Sequence, residues 1–357
     1  MDLEQLIADA ASRGVSDMHF IVGLPPKLRL DGALISLEGA TPLTDDDCER
    51  IAATLVGDRA ECIRDCGELD FARSIGDARV RLNLFRQQGH LSIALRILHD
   101  CIPALETLGL PPAVLSFPEL RRGIVLVTGE TGSGKSTTLA AVLRRINETR
   151  QAHIITLEDP IEYVHIPARC AINQREIGRD TASYADGLRA VLREDPDVIL
   201  IGEMRDLETI ETALTAAETG HLVFATLHTG SAADAVDRIV DVFPEGRQKQ
   251  IRMQLSMTLQ AVLSQQLLPK KSGGRIAACE LMIVSPAIRN LIREGKTPQI
   301  ANAVATSADR GAVTMDFAIS QLYKQGIISA DTARTAAHDA EYIQKTTGMQ
   351  RADLRMR

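Results

Sequence analysis

The sequence has no tryptophan, and aromatic residues make up only 3% of its 357 positions. A single-strand nucleic-acid binder built on stacking platforms needs aromatic rings, so that class is disfavoured. So is a bilayer protein with an aromatic belt. There is no surplus of basic residues either: 40 Lys and Arg stand against 47 Asp and Glu, a formal charge of −7. The chain therefore lacks the global basic footprint expected for a nucleic-acid partner. Long apolar runs are missing too. No uninterrupted stretch approaches the roughly 18 residues that a spanning helix requires. The opening MDLEQLIADAASRG puts acids where a secretory leader would carry basic and then apolar residues, so neither a leader nor a membrane span is expected. Cysteines are few, at 48, 62, 66, 101, 170 and 279. In a chain of this length they are expected as reduced thiols rather than a disulfide framework. Cys62 and Cys66 are spaced to share a helix face, but no histidine or further cysteine pair stands nearby to complete a zinc site.

What remains is an ordinary globular composition, 45% hydrophobic and 24% charged, long enough for two domains with sizeable cores. Residues 1–102 read as a small α+β domain. Leu3, Leu6, Ile7 and Ala10 fall at helical spacing, MHFIVG (18–23) and KLRLDGALISL (27–37) alternate as strands, and Asp31-Gly32 is placed to turn a hairpin. Thr44 followed by three aspartates marks a helix start, and residues 78–98 read as two strands around Gly89. Residues 103–118 contain Pro103, Pro111, Pro112 and Pro118 and are expected to be a linker. Residues 119–357 form the second domain. There GIVLVT (123–128), HIITL (153–157), DVILI (197–201) and LVFATL (222–227) are continuous apolar runs, separated by the helical stretches Ser183–Glu194, Asp206–Thr219 and Ser231–Val242. That alternation predicts an α/β domain with a mostly parallel sheet covered on both faces. The tail from Pro286 reads as helical.

Four segments carry chemistry. Gly129-Glu-Thr-Gly132-Ser-Gly134-Lys135-Ser136 matches G-x-x-x-x-G-K-[ST] between a strand and a helix, the context a phosphate-binding loop requires. Its glycines let the backbone wrap phosphates and aim N–H groups inward at a positive helix end. Lys135 can reach the β- and γ-phosphates of ATP, and the Ser136 hydroxyl can ligate Mg²⁺. Candidate nucleotide contacts are Gly129, Thr131, Gly132, Ser133, Gly134, Lys135, Ser136 and Thr137, with His221 added. In DVILIGEMRD the strand delivers Glu203 to the carboxyl end of the sheet, where open α/β folds bind ligands. Other P-loop ATPases carry an Asp immediately before this Glu; here the position is Gly202. Glu203 is therefore expected to polarise the attacking water. LEDPIEY gathers Glu158, Asp159 and Glu162 beside Pro160. These acids suit the water shell of Mg²⁺ or the nucleophile, and equally an acidic surface turn. TGHLVFATLHT opens a strand with His221 and closes it with His228, either of which could sense phosphate or serve structure.

In this order GETGSGKST, ITLEDPIEY, ILIGEMRD and GHLVFATLHT resemble the Walker A, Asp box, Walker B and His box of secretion-superfamily ATPases. Within them the resemblance is nearest to the type IV pilus retraction ATPases, the PilT family. It runs over nearly the whole chain, including SDMHF, GLPPKLRLDG, NQREIGRD and AIRNLIRE (287–294). The resemblance implies a RecA-like P-loop NTPase domain, preceded by a smaller PAS-like domain and followed by a helical tail. It implies Glu203 as catalytic glutamate, His228 facing the γ-phosphate, and Glu158 and Glu162 as Asp-box acids. Arg79, Arg81 and Arg96 are candidate arginine fingers, although the same three also suit a solvated strand face. It further implies a cytoplasmic homohexamer that hydrolyses ATP with Mg²⁺ and docks, without inserting, at the cytoplasmic face of the inner membrane against a pilus platform protein. Nucleic acid is not an expected partner. The helix AIRNLIRE, with Ile288, Leu291 and Ile292 on one side and Arg289, Arg293 and Glu294 elsewhere, is associated in the family with retraction rather than hydrolysis; a plain amphipathic helix fits as well. Two alternatives stay open. A pilus-assembly or type II secretion ATPase would be longer at its N-terminus and carry a paired-cysteine insertion, whereas residues 267–282 hold only Cys279. A RecA-like nucleic-acid translocase is opposed by the acidic balance. That acidity is unevenly spread: residues 1–113 hold 11 basic and 18 acidic side chains, and the remainder is balanced. Arg79, Arg81 and Arg96 therefore run against the charge of their own domain.

Overall fold

Alternation along Ala78–Gln87 makes the first sheet one-sided. Ala78, Val80, Leu82 and Leu84 are buried while Arg79, Arg81 and Asn83 between them are only partly covered. The computed structural model describes residues 2–30, 33–56, 67–76, 78–98 and 101–347. The chain divides into two units, Met1–Ile102 with Asp159–Val164, and Pro103–Glu158 with His165–Arg357. The first holds helices α1 (Leu3–Ser12) and α2 (Asp45–Val56) and strands β1 (Asp17–Phe20), β2 (Lys27–Leu30), β3 (Ala33–Ser36), β4 (Glu68–Ile75), β5 (Ala78–Gln87) and β6 (His90–Leu98). They form an antiparallel sheet in the order β3-β2-β1-β6-β5-β4. Leu3, Ile7 and Ala10 of α1 and Cys48, Ala52 and Leu55 of α2 share a core with Met18, Phe20, Val80, Leu82 and Ile93. Each fully buried large side chain of this kind is worth about 1.5–3 kcal/mol. The start of α2 is a reciprocal cap: the Asp47 N–H donates to Thr44 Oγ1 at 3.2 Å, and the Thr44 N–H donates to Asp47 Oδ2 at 2.8 Å.

Strand β4 went unforeseen because, at the edge of the sheet, it buries only Phe71 and Ala72 and so lacks an apolar stripe. The Asp31-Gly32 turn and the Cys62–Cys66 spacing lie outside the described residues. Cys48, Cys101, Cys170 and Cys279 are unbridged.

In the second unit β7 (Gly123–Thr128), β8 (His153–Glu158), β9 (Ala171–Glu176), β10 (Val198–Ile201), β11 (Leu222–Leu227), β12 (Leu259–Pro269) and β13 (Arg275–Ile283) form a sheet in the order β13-β12-β7-β11-β10-β8-β9. Every pairing is parallel except β12 with β13. Every residue of β7, β10 and β11 is buried, as continuous apolar runs demand. Helices α3 (Lys135–Thr149), α4 (Tyr184–Val191), α5 (Leu207–Glu218), α6 (Ala232–Asp241) and α7 (Glu245–Thr258) come between or after the strands. Ser183, Asp206 and Ser231 each cap the following helix, accepting from the N–H three residues on. Residues 103–118, the expected linker, carry 3-10 turns with Leu105, Val114 and Phe117 buried, and belong to this unit.

The β12–β13 hairpin and β9 were not foreseen, β9 because its residues are mostly polar and only Glu176 is buried. After β13 come α8 (Pro286–Glu294), α9 (Ile300–Ala305), α10 (Met315–Lys324), α11 (Ala330–Ala336) and α12 (Ala340–Thr347). Among the described residues no helix is long and apolar enough to cross a membrane. In α8, Ile288 and Ile292 are buried. Arg289 turns back to the preceding helix, its Nη1 donating to the Ser256 carbonyl at 2.6 Å and the Met257 carbonyl at 3.1 Å. A cation on the terminal carbonyls of a helix is favourable, so this arginine fastens the end of α7.

Candidate functional site

The loop between β7 and α3 can turn only because its glycines adopt φ values closed to most residues: +140° at Gly129, +80° at Gly132 and +92° at Gly134. At Gly129 there is also no room. A Cβ would lie 2.3 Å from the Gln265 carbonyl oxygen and 2.6 Å from Ser133 Oγ. Lys135 opens α3 and is buried, its Nζ donating to the carbonyls of Gly129 at 2.7 Å and Glu130 at 2.9 Å. The ammonium is thus held across the mouth of its own loop. Thr131, Gly132 and Ser136 are exposed, and Thr137 and Gly134 are half-buried. Ser133 Oγ is buried with no hydrogen-bond partner among the described residues.

Sheet order brings Glu203, Glu158 and one histidine to the same edge. β7, β11, β10 and β8 are consecutive and parallel, so the phosphate-type loop, His228, Glu203 and Glu158 follow their carboxyl ends in turn. With strands about 4.8 Å apart, the row spans about 15 Å. Glu203 Oε1 is 3.3 Å from His228 Nε2, and its Oε2 receives Arg205 Nη2 at 2.7 Å. Burial raises the Glu203 carboxyl, but Arg205 and His228 outweigh it and hold it below its ordinary value of 4.5, so the group is a carboxylate at neutral pH. The loop bearing it is stitched to β11: the Met204 N–H donates to the Thr226 carbonyl at 3.1 Å, and Thr226 Oγ1 donates to the Gly202 carbonyl. A Cβ at Gly202 would meet Tyr184 Oη at 2.8 Å and the Leu157 carbonyl at 3.1 Å. There is no space for an aspartate in that place. Glu158 Oε1 accepts from Thr156 Oγ1 at 2.6 Å and Gln174 Nε2 at 3.0 Å.

His221 is a correction. It precedes β11, beside the Gly123 end of β7, with Nδ1 3.0 Å from the Ala216 carbonyl. The length of the strand, about 20 Å, separates it from the loop edge, and its ring belongs to the turn after α5.

The other expected residues lie in the first unit. Glu162 is half-buried there, whereas Glu158 belongs to the second unit. Arg81 and Arg96 stand opposite each other on β5 and β6, but neither is a bare cation. Arg81 holds Asp70 through Nε at 3.1 Å and Nη2 at 2.6 Å. Arg96 Nε donates to Asp17 Oδ1 at 2.8 Å. Burial raises the Asp17 carboxyl, but the bonds from Arg96 and Ser16 outweigh it and hold it below its usual range. Arg79 Nη2 donates to the Ile161 carbonyl at 3.0 Å. The arginines that seemed to run against the acidity of their domain are largely matched by it.

The loop fits a nucleotide: a cradle that a Cβ would fill, a fixed ammonium and a buried hydroxyl with no partner among the described residues. For Mg²⁺ the fit is of the kind that leans on the nucleotide. No group of three or more His, Cys, Asp and Glu among the described residues is arranged to hold a metal, so Ser136 and phosphate oxygens would supply the ligands. Three neighbours of the site were missed. Arg205 was in plain view beside Glu203. Ser264 and Gln265 come from β12, where Ser264 Oγ lies 2.8 Å from Thr128 Oγ1 and Gln265 is buried. The Gly273-Gly274 pair between two apolar runs was the available sign of that hairpin.

Comparison with known proteins agrees with this geometry. The family described as "Type II/IV secretion system protein" matches residues 75–273. The type IV pilus retraction ATPase PilT of Pseudomonas aeruginosa is 47% identical over 94% of this chain and 98% of its own length. A twitching motility protein of Neisseria gonorrhoeae is 51% identical over 77% of this chain and 74% of its own. A crystal structure described as the pilus retraction motor PilT with bound ADP superposes with a TM-score of 0.90 at 46% identity, covering 97% of this chain and 99% of that one.

Proposed function

The chain belongs to the type II/IV secretion system ATPase family, and we propose that it is the ATP-hydrolysing motor that powers type IV pilus retraction and twitching motility. The observation that carries this reading is the row at one sheet edge, where loop, His228, Glu203 and Glu158 follow four consecutive parallel strands. Lys135 and the loop N–H groups hold the phosphates of ATP. Ser136 would hold Mg²⁺, which when bound neutralises phosphate charge. Glu203, kept ionised by Arg205 and His228, accepts a proton from the attacking water. His228, one bond away, faces the γ-phosphate, and Glu158 and Glu162 orient the water shell. Arg79, Arg81 and Arg96 act as arginine fingers, for which Arg81 must exchange Asp70 and Arg96 must exchange Asp17 for phosphate. Fingers of this kind contribute about 10³–10⁵ in rate.

In this reading six copies form a ring, and a PAS-like first unit of each takes part in the coupling between subunits. The ring docks at the cytoplasmic face of the inner membrane on the pilus platform protein and turns hydrolysis into depolymerisation. The decisive experiment is deletion of the gene in a piliated host, with complementation. Surplus, immobile pili restored to retraction by the wild-type gene are expected. Bald cells would replace this reading with an assembly ATPase.

A further inference from the structure

Two buried side-chain oxygens, one in the phosphate loop and one on the strand beside it, have no hydrogen-bond partner among the described residues. One is Ser133 Oγ in the loop, and the other is Oε1 of Gln265 on β12. Gln265 is 2% exposed. The main-chain carbonyl oxygen of Gln265 and Ser133 Oγ lie 2.3 and 2.6 Å from the same point, the Cβ position of Gly129, so the backbone of Gln265 runs within about 5 Å of that hydroxyl. In a strand, alternate residues share a face, and Leu267, two places along, touches the Cβ position of Gly134 at 3.7 Å. The Gln265 carboxamide therefore stands on the loop side of β12. The Ser264–Thr128 bond and the register of β12 with β7 hold the strand in place.

A buried carboxamide oxygen or a buried hydroxyl is rarely left unpaired. A hydroxyl is a donor and an amide oxygen an acceptor, so a movement of the loop that brings the two together makes one hydrogen bond of two unmet ones. We propose that Gln265 is a positioning residue for the phosphate loop, its Oε1 accepting from Ser133 Oγ when the loop closes on a nucleotide. The inference rests on reading this loop as a nucleotide site. It makes β12, the strand that leads into the β12–β13 hairpin, responsive to occupancy of the loop.

The test is a double-substitution cycle in the full chain, with Mg-ADP as the probe in calorimetric titrations and thermal melts with and without it. Gln265→Met and Ser133→Ala each weaken Mg-ADP binding about five- to tenfold, and the double variant is no weaker than either single one. In turnover, Gln265→Met raises KM by the same factor and leaves kcat within about twofold. Without nucleotide, Gln265→Met melts no lower than wild type, since an unpaired polar group has been replaced by an apolar one of similar size. Wild-type binding by Gln265→Met, or additive losses in the double variant, overturns the proposal. So does a nucleotide-free melting point lowered as much as the lost ligand-induced shift, which marks a purely structural residue. If the wild type fails to bind Mg-ADP, the nucleotide reading falls with it. If the wild type binds and Lys135→Ala does not, only the role of Gln265 is at stake.

Discussion

Replacing Gly129 with alanine measures how tightly the phosphate loop is built against β12. The backbone there has φ +140°, a conformation that costs an L-residue about 1–3 kcal/mol. The new methyl would stand 2.3 Å from the Gln265 carbonyl and 2.6 Å from Ser133 Oγ. The nearer neighbour is backbone rather than the end of a flexible side chain. The carbonyl belongs to a strand paired on both sides, to β7 and to β13, so relief requires the loop or the strand to shift, at a further cost of about 1–3 kcal/mol. The total is about 2–6 kcal/mol. For a unit of this size, at about 2–4 °C per kcal/mol, the melting temperature should fall by about 4–24 °C. Gly132→Ala is the internal reference. It also has positive φ, +80°, but nothing lies within 4 Å of its Cβ position, so only the backbone part of the cost remains. Thermal melts of both variants followed by circular dichroism, together with Mg-ADP titration, separate the two contributions. Equal melting temperatures for Gly129→Ala and Gly132→Ala would refute the argument that contact with β12 constrains the loop.

Two further outcomes are expected. Glu203→Gln should bind ATP and hydrolyse it at least about a hundredfold more slowly, because the proton acceptor is lost while the loop is intact; near-normal single-turnover hydrolysis would remove Glu203 from that role. His165 is buried, which lowers its pKa to about 4 from 6.5. Between those values the unfolded chain binds the proton and the folded one does not, so stability falls as pH drops from 6.5 towards 4, by up to about 3 kcal/mol. Urea midpoints at pH 7 and pH 4.5 should differ less in His165→Gln than in wild type, and an unchanged difference would show that other groups carry the acid sensitivity.

Local patterns were the legible part. A phosphate loop is one contiguous segment, and its glycines, Lys135 and Ser136 are specified by φ, reach and chemistry alone. The buried strands were equally readable, because β7, β10 and β11 are covered on both faces and so are apolar throughout. Polar or edge strands were not: β4 buries two residues and β9 one. Their place depends on pairing with a neighbour rather than on their own periodicity.

The two histidines draw the line between the levels. TGHLVFATLHT offers both with equal local merit, and residue type cannot choose between them. A parallel strand has two ends, and only the one at the carboxyl edge meets the loop, so His228 reaches Glu203 at 3.3 Å while His221 joins a turn about 20 Å away. In the same way the excess acidity of residues 1–113 was plain in composition, but its distribution was not. Only the register of β1, β4, β5 and β6 placed Asp17 on Arg96 and Asp70 on Arg81. Sequence alone determined the chemistry available at each position and the strand–loop–helix with the pattern of a phosphate-binding loop. Tertiary structure decided which of those groups meet, because strand order and register bring together residues that no local spacing relates, and so put Gln265, more than a hundred residues on, against Gly129.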